Sequence, residues 1–332
     1  MPWLRTWLLA LAMVSLSLTA LEVAWRSGGY FASVTDDKDL WAYERSRLYS
    51  RGTDTLVSIG FSRIRTDLAI DTFRADYPAY DVVQLAVNGR HPLATLEDLA
   101  MDEDFNGIVL CSVIEMSFMP NAPGQRPWID HYHRSQPLAR LDRAAMVRIE
   151  VRLVLLNEDL NLVPVAGNLA RRGRLQRPRS GVVRPDRSVV GEMPAELHAN
   201  AQRGVLVGQQ FMYKLTWLPT PNEWIKLVSS VEPWVERIRS RGGRVVFLRV
   251  PVAPPLYALD QSFFPKHKYW DRIAQGTSAV TIHFQDVEGM AEFEFPDYSH
   301  MNSSEARRFT PMLTDELVRR GVLRPPDAAV RP

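Results

Sequence analysis

Five short, nearly continuous apolar runs constrain this chain more than any other feature, because strands of that kind must be covered on both faces. They are Thr55 to Ile59, Tyr80 to Val87, Gly107 to Val113, Arg244 to Val250 and Ala279 to Phe284, each rich in Val, Ile, Leu or Phe. Helical stretches separate them: Ile64 to Ala75, Leu93 to Ala100, Asn222 to Arg241 and His267 to Ala274. A last helix spans Ser303 to Arg320, with Gly321 marking its end. Strand alternating with helix predicts an α/β fold, a three-layer αβα sandwich around a five-stranded parallel sheet.

From Val113 to Arg244 lie about 130 residues, too many for a simple crossover between the third and fourth strands. A helical insertion over about 120–220 is therefore expected, with a long helical pattern from Leu138 to Leu160. After it come Arg171, Arg172, Arg174, Arg177, Arg179, Arg184 and Arg187 among Pro and Gly. This stretch reads either as a solvated loop or as a basic flap meeting an anionic polymer, a lipid headgroup or a partner protein. The expected division is a signal anchor or signal peptide over 1–26, a lead-in over 27–53 with a helix from Lys38 to Tyr49, a main domain over 54–324 and a disordered tail over 325–332.

The first segment differs in kind from the rest. Leu8 to Leu21 are apolar apart from small hydroxyl residues, Arg5 precedes them, and Glu22 and Arg26 close the segment. Trp7 and Trp25 sit where interfacial aromatics are expected, and a small-x-small cleavage pattern is weak because Leu18 precedes Ala20 by two positions. The preferred reading is an uncleaved single-pass anchor with the main domain exported; secretion after cleavage is the alternative. With 40 Lys and Arg against 38 Asp and Glu, the net charge of +2 carries no global nucleic-acid signal. The single cysteine, Cys111, excludes an intramolecular disulfide and a multi-cysteine metal site, and reads as a small buried hydrophobe. His131 and His133 form a His-x-His pair in a loop-like stretch and read as surface residues, not zinc ligands.

Two short blocks carry the chemistry. Gly60-Phe61-Ser62-Arg63 follows the first strand and opens a helix, a turn that presents a serine hydroxyl at the carboxyl edge of the sheet. Asp297-Tyr298-Ser299-His300 follows the last strand and precedes the final helix. That spacing lets Asp297 accept a hydrogen bond from one ring nitrogen of His300 while the other faces a nucleophile. In a doubly wound sheet both blocks lie along the ligand-binding edge. Ser62, His300 and Asp297 are thus candidates for nucleophile, base and orienter. Arg63 and Arg249, the latter at the end of the fourth strand, read either as structural ion pairs or as anchors for an acidic sugar or an acyl-donor headgroup.

With these blocks the sequence resembles the SGNH/GDSL hydrolase superfamily over about Asp54 to Gly321. The resemblance implies a flavodoxin-like sandwich and matches Ser62, Asp297 and His300 to the catalytic positions. Gly-Phe-Ser-Arg, and the ending Asp297 to Asn302 before a helix with Phe309, look closer to the membrane-anchored branch of polysaccharide O-acetylation and D-alanylation proteins. Asn88-Gly89, after the second strand, matches the block that lends a glycine N–H to an oxyanion hole; by itself the dipeptide also reads as a turn. The N–H groups of Ser62 and Gly89, with the Asn88 amide, are the expected donors. The third block departs from the family: Ser112-Val113-Ile114-Glu115 has no asparagine, which fits a transferase with a specialised acceptor or a weakened catalyst. The resemblance implies an acyltransferase or esterase, most simply an acetyl one, on a cell-envelope glycan. It implies no metal or other cofactor, and a membrane-bound O-acyltransferase as natural supplier of acyl groups. A carbohydrate esterase, or a silent scaffold subunit of a polysaccharide modification complex, are the alternatives.

Overall fold

The computed structural model describes residues 2–120, 122–173 and 181–326. Five parallel strands form one sheet in the order β2 (Asp81–Gln84), β1 (Thr55–Ile59), β3 (Ile108–Ser112), β6 (Arg244–Arg249), β7 (Val280–His283). The pairings β1–β2, β1–β3, β3–β6 and β6–β7 are all parallel. Successive side chains of a strand point to opposite faces, and here both faces are dry. Val57, Ile59, Val83, Val109, Cys111, Val245 and Phe247 pack into one core. Leu56, Val82, Ile108, Leu110, Val246, Leu248 and Ile282 pack into the other. The result is the expected three-layer αβα sandwich.

On the first face lie α2 (Lys38–Ser46), α5 (Leu93–Met101), α6 (Arg126–Arg134), α10 (Pro221–Ser229) and α11 (Glu232–Ser240), contributing Trp41, Leu96, Ile129, Trp224 and Ile238. On the second lie α3 (Ser62–Asp67), α4 (Ile70–Asp76), α12 (Pro254–Phe263) and α13 (Ser303–Arg319), contributing Ile64, Phe73, Leu256 and Phe309. The expected helix from Asn222 to Arg241 is two helices, because Pro233 cannot continue the first and instead opens the second. The helix expected over His267 to Ala274 is a 3₁₀ turn, Trp270–Gln275. His131 and His133 lie on α6, not in a loop, and each meets a carboxylate, Asp39 and Asp98, at 2.6 Å.

Between β3 and β6 the chain also forms α7 (Pro137–Glu150), α8 (Leu162–Arg172) and α9 (Ala195–Leu215), with a small antiparallel hairpin of β4 (Gly181–Val183) and β5 (Val189–Gly191). The inserted stretch is therefore not wholly helical. The expected long helix ends at Glu150, and 3₁₀ turns follow it. Ahead of the sheet, α1 (Pro2–Ser27) leaves its apolar residues outside both cores, and its length and composition suit a membrane anchor or a signal sequence. The expected disordered tail falls, from Asp327 onward, outside the described residues.

Candidate active site

Gly60 follows the last residue of β1, and only glycine fits there. Its φ is +154°, and a Cβ would lie 2.7 Å from Ile64 Cγ2, 2.8 Å from Ser112 Cβ and 3.1 Å from the Ser112 carbonyl oxygen. The Gly60 carbonyl accepts hydrogen bonds from the Val87 N–H at 3.1 Å and from the buried Gln125 side chain at 3.0 Å. Gln125 is held in turn by the Thr95 hydroxyl. The strand end is thus clamped from three sides, and Ser62 becomes the first residue of α3 with its N–H among the unpaired donors of a helix start. Gly60→Ala is expected to destabilise the fold by roughly 2–4 kcal/mol through overpacking and backbone strain. Thermal unfolding checks this; an unchanged midpoint would contradict the clamp.

The loop after β7 closes on the same spot. Asp297 Oδ1 accepts the N–H groups of Ser299 at 2.8 Å and His300 at 2.7 Å. Tyr298 sits between them with φ of +69°, in the left-handed region that a bulky residue seldom visits, and its carbonyl accepts the Ala253 N–H at 3.0 Å. So tight a loop turns the imidazole edge-on to α3. His300 Nδ1 lies 2.7 Å from Asp297 Oδ2, and Nε2 lies 2.7 Å from Ser62 Oγ. Burial works to raise the Asp297 pKa, but the imidazole and the two N–H groups outweigh it and hold the carboxyl below its ordinary range. An ionised Asp297 accepts a hydrogen bond from Nδ1–H and so keeps the proton on that nitrogen, which leaves Nε2 to accept the hydroxyl proton of Ser62.

A second carboxyl ties the two blocks together. Asp67, at the end of α3, is fully buried; its Oδ1 accepts the Met301 N–H at 2.9 Å, while Oδ2 has no partner. Burial pushes its pKa up to about 7, against the opposing pull of His300, the Met301 N–H and Arg63. The sign follows from linkage. Between about pH 4 and pH 7 the unfolded chain has lost this proton and the folded chain keeps it, so stability falls as pH rises through that window and is level above it. Asp67→Asn keeps the acceptor for Met301 and removes the titration. The variant should match the parent near pH 4 and gain roughly 2–4 kcal/mol over it by pH 7.5, read from unfolding at the two pH values. Parallel pH profiles would contradict this.

The remaining expected site residues fare unevenly. Gly89 has φ of +66° with open space where a Cβ would be, and both it and Asn88 are exposed just beyond β2. Asn88 Oδ1 accepts from Arg65 Nη1 at 3.3 Å, so the donor end of this amide is its Nδ2. Arg63 and Arg249 are both buried, and of the two readings Arg249 takes the structural ion pair. Arg63 is buried, with Nε donating to Ser299 Oγ at 3.3 Å, so it braces the Asp297–His300 loop from below. Arg249 is 1% exposed; it pairs with Asp260 at 2.5 Å and has Glu115 at 4.0 Å, while the Tyr213 hydroxyl donates to the same Asp260 at 2.6 Å. Burial works to lower the Arg249 pKa, but Asp260 and Glu115 outweigh it and raise it. Glu115 is the interior partner of this cluster, and burial raises its pKa.

Two arginines of the expected flap are also interior or paired. Arg187 is fully buried at φ of +65°, bonded to Asp36 at 2.7 Å and to the Gln84 carbonyl at 2.9 Å; Arg184 pairs with Asp71. Arg174, Arg177 and Arg179 lie outside the described residues. Sequence reasoning passed over Gln125 and Asp67. Asp67 had a weak signal, a carboxyl five residues after the serine in the same short helix; Gln125 had none.

No family model matches the sequence, and a search of curated proteins finds no match. Seven chains of solved structures match. One of them, described as "Crystal Structure of TesA", is 12% identical with a TM-score of 0.35, over 81% of this chain and 99% of that one. A likeness of that size leaves the reading of the site to the residues themselves.

Proposed function

We propose that the chain is an exported, membrane-tethered, serine-dependent acyltransferase or esterase that acts on an acyl ester, here taken as acetyl, of a cell-envelope glycan. One observation carries the reading: the unbroken hydrogen-bonded line from Ser62 through His300 to Asp297, at 2.7 Å for each link. Ser62 Oγ attacks the acyl carbonyl while its proton passes to His300 Nε2. The oxyanion is met by the N–H groups of Ser62 and Gly89 and by the Asn88 amide. Collapse breaks the ester bond, and the departing alkoxide takes the proton from His300, leaving acyl-Ser62. An acceptor hydroxyl then gives its proton to His300 and displaces Ser62, which recovers its own. Asp297 orients the ring and stabilises its charged form in both halves.

The glycan, the tether and a membrane-bound O-acyltransferase as supplier of acyl groups rest on the sequence blocks and on the apolar α1. The absence of an asparagine among Ser112 to Glu115 fits a transferase with a specialised acceptor, and it fits a weakened catalyst or the silent scaffold as well. The test is the full chain in lipid vesicles with an aryl acetate as donor, with and without an acetyl-free envelope oligosaccharide. The expected result is faster consumption of the donor and acetylated oligosaccharide as product. Acetate release unaffected by the oligosaccharide would point to an esterase, and no turnover of any donor would favour the silent scaffold.

A further inference from the structure

From the last turn of α7 onward the usual order of burial is partly inverted, although Val154 is fully covered. Asp159 and Asn168 are buried, whereas Ile149, Val151, Leu153, Leu156, Val163 and Leu169 face solvent, Val163 at 83% exposure. Soluble surfaces bury the second kind of residue and expose the first. The same stretch is fastened to the end of α1. The Glu22 carboxylate accepts the N–H groups of Val154 and Leu155, both at 2.9 Å, and Arg26 Nη2 donates to the Arg152 carbonyl at 2.7 Å. Asn157 Nδ2 donates to the Phe31 carbonyl at 2.9 Å, just beyond α1.

That fastening sets a height. From Trp3 to Glu22 at ~1.5 Å per residue is roughly 28 Å, close to the ~30 Å thickness of a bilayer's hydrocarbon core. If α1 crosses the bilayer, Glu22 lies at its boundary, and so does the backbone bonded to it. We propose that residues 149–169 form a second, monotopic membrane contact, seated on the lipid surface where α1 emerges. The apolar side chains enter the headgroup and upper acyl region, and Arg148, Arg152 and Arg171 stay among the headgroups. The contact would hold the catalytic edge at a fixed distance and orientation from the membrane instead of letting it swing on a single helix. The inference rests on α1 remaining in the bilayer.

The test uses the full chain in vesicles of phosphatidylcholine and phosphatidylglycerol, with one new cysteine at a time carrying an environment-sensitive fluorophore. Cys111 is fully buried and does not compete for label. Val163→Cys and Leu156→Cys probe the contact, Leu11→Cys reports α1, and the exposed Glu236→Cys on α11 is the aqueous reference. The expected result is that nitroxide lipids quench the labels at 156 and 163 several-fold more than the label at 236, and that aqueous iodide quenches them several-fold less. If the label at 11 is lipid-quenched while those at 156 and 163 behave like that at 236, the second contact is overturned and the anchor stands. If the label at 11 is itself open to iodide, the anchor and the inference fall together.

Discussion

Ser62→Ala in the full chain should lower acyl turnover by about 10³-fold or more while the unfolding midpoint holds, because the hydroxyl is partly exposed and, among the described residues, its partner is the His300 ring. His300→Ala should cost a similar factor, and the double variant little more than either alone, since residues that act as one unit lose their effect together. Asp297→Asn should fall by about 10³–10⁴-fold, because an amide at that place can donate to Nδ1 and so favours the wrong tautomer. Initial rates on an aryl acetate, with folding checked in parallel, settle each comparison. A Ser62→Ala protein within tenfold of the parent rate would remove the serine from the chemistry.

The largest effect on stability is expected from Arg249→Met. Asp260 pairs with this guanidinium and Glu115 lies beside it where water does not reach, and removing it strands a buried carboxylate. Breaking one side of such a pair costs roughly 3–5 kcal/mol, a fall of about 4–7 °C in midpoint for a chain of this size. Arg249→Met with Asp260→Leu should recover part of the loss, because it removes the stranded charge as well. A substrate anchor would behave in the opposite way, with folding unchanged and KM raised. An Arg249→Met chain that melts like the parent would reopen the anchor reading.

The contrast between these two cases shows what the sequence could and could not reveal. The strands were legible because a run such as Leu56 to Ile59 is nearly continuous in apolar character, and β1, from Thr55 to Ile59, is buried along its whole length. Ser62 and the Asp297–His300 pair were legible because their relation is topological: any chain that winds a parallel sheet in this order brings those two loops to one edge. Arg249 was not legible. Its partners lie at 115 and 260, on two separate elements, and a lone arginine after an apolar strand fits a rim as well as an interior. The same holds for Gln125, whose side chain reaches Gly60 from the start of α6, 65 residues further along the chain. α9 escaped notice because Tyr213 is its one fully covered side chain, so its apolar residues trace no clear stripe. The hairpin of β4 and β5 flanks a segment whose Arg and Pro content masked two three-residue strands.

The most direct measurement is peptide mass spectrometry of the full chain after brief exposure to an activated acetyl ester, in parent and His300→Ala proteins. The account predicts an acetyl group on the hydroxyl of Ser62 in the parent, lost when an acceptor is added, and none on that residue in the His300→Ala protein. An acetyl group found on another side chain, or on Ser62 equally in both proteins, would contradict it.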